Sequence, residues 1–233
     1  AGLRRAPAAR QDHDAVKSCI GCALVALMLG GCATPPRPAE PPPPPGASSI
    51  EELAASIAAY AKRSDHESDA QVRNELATAA SRDAAACLER EPRAAACLYG
   101  RALALGLEAR AHPTRAGELL KTMLESLASA EAVDPNYDAA GPARVSALVL
   151  IRAPGWPLGP GDAEAGLAAA RRAATLRPQY PPNLLALAEA LAKTGDASGA
   201  RENYERARAL AQALPDGTDR DAWLHEADQA LRR

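Results

Sequence analysis

Apolar positions recur along most of this chain at helical spacings of three and four, and almost nowhere do they alternate as a half-buried strand would. Ile50, Leu53, Ile57 and Tyr60 form one such stripe. It opens at Ser49-Ile50-Glu51-Glu52, where Ser and Glu three residues apart make a capping box. Leu184, Leu187 and Leu191 form another face, and Gly195 supplies the turn after it. Between these stripes prolines recur at Pro92, Pro135 and Pro178, each 43 residues from the last. A proline just past a helix end stops that helix, and equal spacing of the stops is the mark of stacked units. The pattern predicts an all-α solenoid of about four antiparallel helix pairs over residues 49–213. A further helix opens near Thr218-Asp219 and runs through "DAWLHEADQALRR", the polar closing element that a stack needs.

The last unit, "PPNLLALAEALAKTGDASGARENYERARAL", resembles a tetratricopeptide repeat (TPR). The family pattern falls on Leu184, Leu187, Ala188, Leu191, Gly195, Ala200, Tyr204 and Ala207. Small Ala188 and Ala200 let paired helices approach, while Tyr204 and Ala207 pack on the neighbour. Counting back one family period of about 34 residues lands on Gly161, Gly166 and Ala173, which also fit, and Pro178 adds the closing proline. The earlier units exceed that period by nine residues. "RAPGWPLGPG" after Ile151 and "EARAHPT" around Pro113 locate the excess in enlarged loops within the second and third pairs. Asp162 and Asp196 follow glycine at helix starts and read as N-caps.

The first 48 residues have a different character. Arg4, Arg5, Arg10 and Lys17 precede a mostly apolar run from Ile20 to Leu29, too short to span a bilayer. Its end, Leu29-Gly30-Gly31-Cys32, resembles the lipobox of bacterial lipoproteins. That resemblance implies cleavage before Cys32, acylation of its sulfur and, with Ala33 following, placement in the outer membrane facing the periplasm. Each buried CH₂ of an acyl chain contributes about 0.8 kcal/mol, so two or three chains anchor lastingly. Residues 1–31 are thus expected to be a signal peptide, and Cys19 and Cys22, spaced as Cys-x-x-Cys, would leave with it. The tract "PPRPAEPPPPP" (35–45) cannot be helical. As polyproline II at ~3.1 Å per residue it reaches ~34 Å, a spacer within the linker 32–48 that precedes the repeat domain at 49–233.

Composition narrows the function. The 233 residues carry a formal charge of −2, which offers no basic field for nucleic acid, and there is no Phe, so the core must be built from small side chains. No phosphate-binding loop, His-Glu-x-x-His or Gly-x-Ser-x-Gly occurs. Asp221 and His225, one helical turn apart, read as a solvated surface pair. No catalytic set, metal or cofactor is expected. Cys87 and Cys97 stand five residues either side of Pro92. A bridge and two buried thiols are both open, and the usual spacing of paired helices, wider than the ~7 Å a bridge tolerates, favours thiols. Trp156 reads either as a binding contact or as a plug over the apolar helix end "ALVLI", with the plug favoured.

A lipobox, a repeat domain of this size and long loops within the pairs together resemble the T component of TPR-associated TRAP-type transporters. The resemblance implies oligomers, trimers among them, with a pore that receives a small hydrophobic ligand from a periplasmic solute-binding protein. On that reading Tyr99, Arg144, Arg152, Trp156 and Glu189 line the pore or its mouth. The alternative is an outer-membrane assembly or secretion scaffold, pilotin-like, whose groove takes a peptide.

Overall fold

The computed structural model describes residues 49–232; the leader, Cys32 and the proline tract lie outside the described residues. Nine α-helices follow one another among these residues: α1 (Ile50–Asp65), α2 (Ala70–Arg90), α3 (Ala95–Ala111), α4 (Ala116–Val133), α5 (Tyr137–Arg152), α6 (Ala163–Leu176), α7 (Pro181–Lys193), α8 (Ala197–Gln212) and α9 (Thr218–Leu231). None of them is long and apolar enough to cross a membrane. Pro92, Pro135 and Pro178 fall in the connections α2–α3, α4–α5 and α6–α7, so each closes one helix pair as the spacing predicts.

Local chemistry sets the helix starts. The Ser49 hydroxyl accepts from the Glu52 amide (3.2 Å), while the Glu52 carboxylate accepts from the Ser49 amide (2.9 Å). Asp162 caps α6 through the Ala165 amide (3.0 Å), and Asp196 caps α8 through the Gly199 amide (2.8 Å). Such caps satisfy donors that a helix leaves unpaired, each contributing about 1 kcal/mol. Gly195 adopts φ 93°, a left-handed turn that a side chain would strain.

The stacking order decides which surface is concave. α1 packs on α3, α3 on α5, α5 on α7 and α7 on α9, whereas the backbones of α2, α4, α6 and α8 pack only on the helices before and after them in sequence, with the Arg172–Glu131 ion pair (3.0 Å) linking the side chains of α6 and α4. The odd-numbered helices therefore form the inner wall and the even-numbered ones the outer. Small residues let the layers approach: a Cβ on Gly166 would lie 2.8 Å from Ile151 Cγ1 and 3.3 Å from the Ala147 carbonyl oxygen. Ala147, Ile151, Leu167, Ala170, Ala190, Leu191 and Ala200 make one buried cluster across α5–α8. α9 closes the stack, burying Ala227 and setting Trp223 edge-on to Tyr180 with ring centroids 5.6 Å apart. Asp221 and His225 on α9 are both exposed.

Three expectations are corrected. The second pair has no enlarged loop: "EARA" is the last turn of α3, and only a short 3₁₀ turn, Pro113–Arg115, leads into α4. Its extra length lies in helices of 17 and 18 residues. In the third pair the enlarged loop is present, but Trp156 does not plug anything. The indole is 91% exposed, and α6, through Leu167 and Ala170, covers the apolar end of α5 instead. Cys87 and Cys97 are bridged, with Cα atoms 5.2 Å apart and both residues fully buried beside Leu53. The general spacing of packed helices does not apply here, because both cysteines lie within a turn of the short Glu91–Ala94 connection, where α2 and α3 converge.

Closing a loop of this length removes about 2–3 kcal/mol of unfolded-state freedom. Cys87→Ala/Cys97→Ala should lower the unfolding free energy by that amount in urea titrations. Reductant should reproduce the loss in the native chain and have no effect on the variant.

Candidate functional site

The inner wall carries a groove. A 520 Å³ cavity lies between α1, α3 and the start of α5, lined by Ala54, Ala58, Tyr99, Leu103, Tyr137 and Asp138 among others. A second, of 510 Å³, shares Ala61 and Leu103 with it and continues over Val145, Leu148 and Arg152 to Pro154. A third, of 170 Å³, shares Leu148 and Arg152 with the second and ends at Leu185, Trp223 and Glu226. The three follow one another along the odd-numbered helices. The first two lie where packing is thin: α3 and α5 touch at few points compared with α1 and α3 or α5 and α7. No group of three or more metal-ligating side chains forms among the described residues.

A polar network bridges that thin place. Asp138, Ala139 and Ala140 all take left-handed backbone angles (φ 47°, 53° and 66°) before Gly141-Pro142. Left-handed geometry in non-glycine residues costs roughly 1–2 kcal/mol each, so the turn needs holding. Arg144 supplies much of the hold. Its Nη1 donates to the carbonyls of Asp138 (3.1 Å) and Ala139 (3.2 Å) and to Asn183 Oδ1 (3.1 Å), while Nη2 pairs with Asp138 Oδ2 (2.8 Å). The fully buried Asn183 donates to the carbonyls of Ala139 and Ala173 (3.0 Å each). From α3, the Tyr99 hydroxyl donates to Asp138 Oδ2 (2.8 Å). The Arg144 guanidinium also lies 5.3 Å from the Tyr180 ring centroid, a cation–π contact. One left-handed turn thus ties α3, α5, α6 and α7 together.

The five expected site residues separate into two groups and a singleton. Tyr99 and Arg144, both buried, meet through Asp138, and Tyr99 lines the first cavity. Arg152 and Glu189 form a two-pronged ion pair between α5 and α7 (2.8 and 2.6 Å), with Arg152 lining the second and third cavities. Trp156 stands apart in the loop after α5, two residues beyond Pro154 at the rim of the second cavity. That loop is held by a Gly155–Gly161 bridge, by Gly161 N–H to the Pro154 carbonyl (2.9 Å) and by contact of the Leu158 carbonyl with Gly117 on α4. It presents Trp156 and the 76% exposed Leu158 to solvent on a braced backbone.

Sequence reasoning missed Asp138 and Asn183. Two signals point to them: a Gly-Pro pair four residues into a helix, which breaks its first turn, and a lone Asn within the apolar run "PPNLLALA". Electrostatics at the site follow from burial. Tyr99 is pushed well above the usual phenol range, first by desolvation and then by Asp138, against the pull of Arg144. Tyr137 rises for the same first reason, then through Asp138 and Glu51. Arg152 is raised chiefly by its hydrogen bond to Glu189. The Glu226 carboxyl is raised by desolvation and by Glu189, opposed by Arg152.

Two predictions follow from the network. Arg144→Ala leaves Asn183 and the left-handed carbonyls short of donors and Asp138 without its cation, and should destabilise by about 3–5 kcal/mol in chemical denaturation. Arg144→Lys should not restore it, because an ammonium lacks the planar fork. The second concerns alkali. Unfolded tyrosine loses its proton at pH ~10, while native Tyr99 holds its proton to higher pH. The tyrosine contribution is therefore complete below pH 10 and is lost as pH rises above it. Unfolding titrations should show that decline, and Tyr99→Phe should flatten it.

The architecture is similar to that of a thermophilic TPR protein from Thermus thermophilus, with a TM-score of 0.52 and 19% identity over 79% of this chain and 93% of that chain. No family profile matches the sequence, and no curated protein matches it. At that identity the likeness concerns the fold, which is a TPR-like α-solenoid.

Proposed function

We propose that this protein is a non-catalytic binding module whose concave groove holds a protein partner or extended ligand. The observation that carries this reading is the run of adjoining cavities along the odd-numbered helices, the first two largely apolar, with Arg152 of the Arg152–Glu189 pair shared by the second and third. Helical-repeat solenoids bind along such surfaces because successive inner helices offer one extended wall. Trp156 and Leu158 add a rigid apolar contact at the groove's rim, the residue chemistry of a binding hot spot.

The fuller reading places the module on the periplasmic face of the outer membrane, tethered through acylated Cys32 and working as the T component of a TRAP-type transporter. The buried Cys87–Cys97 bridge supports an exported protein, since disulfides persist in oxidising compartments. The partner would then be a periplasmic solute-binding protein delivering a small hydrophobic ligand, and the module could assemble as a homo-oligomer. A pilotin-like assembly scaffold would use the same groove for a peptide tail.

Palmitate labelling tests the anchor: Cys32→Ser should abolish label incorporation, and a native chain that takes up no label removes the lipoprotein reading. Native mass spectrometry of gently purified protein tests the groove. A co-purified lipid or organic acid favours transport, and a peptide-length partner favours assembly. Trp156→Ala should fold normally and lose most of the captured partner; unchanged capture removes Trp156 from the surface.

A further inference from the structure

The first cavity differs from the other two in its charge. Its walls are Ala54, Ala55, Ala58 and Ala61 of α1 and Gly100 and Leu103 of α3, and its polar groups are Tyr99, Tyr137, Asp138 and Glu51. The second and third cavities contain arginine; the first is lined by none. The two tyrosine rings meet edge to face with centroids 5.4 Å apart. The Asp138 carboxylate uses one oxygen, Oδ2, for Tyr99 and Arg144, and its Oδ1 accepts no hydrogen bond from the described residues. Glu51, in the first turn of α1, forms no side-chain hydrogen bond or ion pair with the described residues. Both carboxylates line the same opening as Tyr137.

We infer that this cavity is a subsite for a basic side chain, lysine or arginine, carried on an extended segment of a partner protein. The inference rests on the groove being the partner surface and adds which side chain it selects at one end. Three features match that occupant. Alanine, glycine and leucine walls suit a three- or four-carbon aliphatic stem, which gains by leaving water while its charged head stays at the polar end. Half-buried Tyr137, packed on the buried Tyr99, puts an aromatic ring at the opening, and a cation that reaches an aromatic face in partly desolvated surroundings gains about 2 kcal/mol. Glu51 and the free oxygen of Asp138 give the head two acceptors. An acidic side chain would meet like charge there. An apolar one would strip water from Glu51 and Asp138 and return nothing.

The test uses three blocked tripeptides, acetyl-Ala-X-Ala-amide with X as Arg, Leu or Glu, titrated into the full chain. The readout is NMR of ¹³C-labelled tyrosine rings, assigned with Tyr→Phe variants. The Arg peptide should shift Tyr99 and Tyr137 saturably, with a Kd about tenfold or more below that of either other peptide. Raising the salt should weaken it. Glu51→Gln lies at an exposed position of the first turn and should leave the fold intact while weakening the Arg peptide about threefold or more. Equal binding of the Leu or Glu peptide, no saturable shift, or an unchanged Kd in Glu51→Gln overturns the subsite. If the native protein still captures a partner while the tripeptides fail, only the charge preference falls. If capture itself is insensitive to the groove, the groove reading falls.

Discussion

The Arg144–Asp138 pair is the contact on which the inner wall depends. Along that wall α3 and α5 are the least closely packed neighbours, and apolar contact alone leaves a gap between them. The gap is spanned by Tyr99 reaching from α3 to the same carboxylate oxygen that Arg144 holds from α5. A charge taken out of water this way is favourable only when it is paired and hydrogen-bonded, and Arg144 is held by two backbone carbonyls and an asparagine on Nη1 and by an aspartate on Nη2. The arrangement keeps the groove open and yet defined. A larger apolar contact in the same place would close it.

The left-handed turn at Asp138–Ala140 belongs to the same economy of space. A right-handed first turn would carry the chain into α5 without bringing the Asp138 and Ala139 carbonyls to Arg144. Strain of this kind survives where surroundings over-determine it, and here Arg144 and Asn183 do so from two helices. The turn also sets Tyr137 and Asp138 at one end of the groove. Charged groups are spread unevenly along the groove: Glu51 and Asp138 line the α1 end with two tyrosines, while arginines enter from the second cavity onward, accompanied there by Asp65 and Glu226.

Small residues carry the rest of the fold. With no Phe in the chain, helices approach until backbone meets side chain, as at Gly166 against Ile151 and the Ala147 carbonyl. Close approach gains many weak contacts and leaves little room for error, so enlarging Gly166 would push α6 off α5. The Cys87–Cys97 bridge acts at the opposite end of the stack, where it ties α2 to α3, and the Lys62–Asp219 ion pair joins α1 to α9.

Helix existence, pair number, the proline stops, the caps at Ser49, Asp162 and Asp196 and the turn at Gly195 were all legible in the sequence. Each is set by residues close together along the chain: periodicity, a side chain three positions from an amide, a glycine free to take positive φ. The Cys87–Cys97 bridge, the exposure of Trp156 and the joining of Tyr99 to Arg144 through Asp138 were not. Those depend on how closely particular helices converge and on what already covers a surface, and neither distance nor cover is encoded locally. Asn183 shows the boundary well. Its polarity in an apolar run was visible, but its purpose is to serve carbonyls of α6 and of a strained turn 44 residues away, and only tertiary packing brings those within reach.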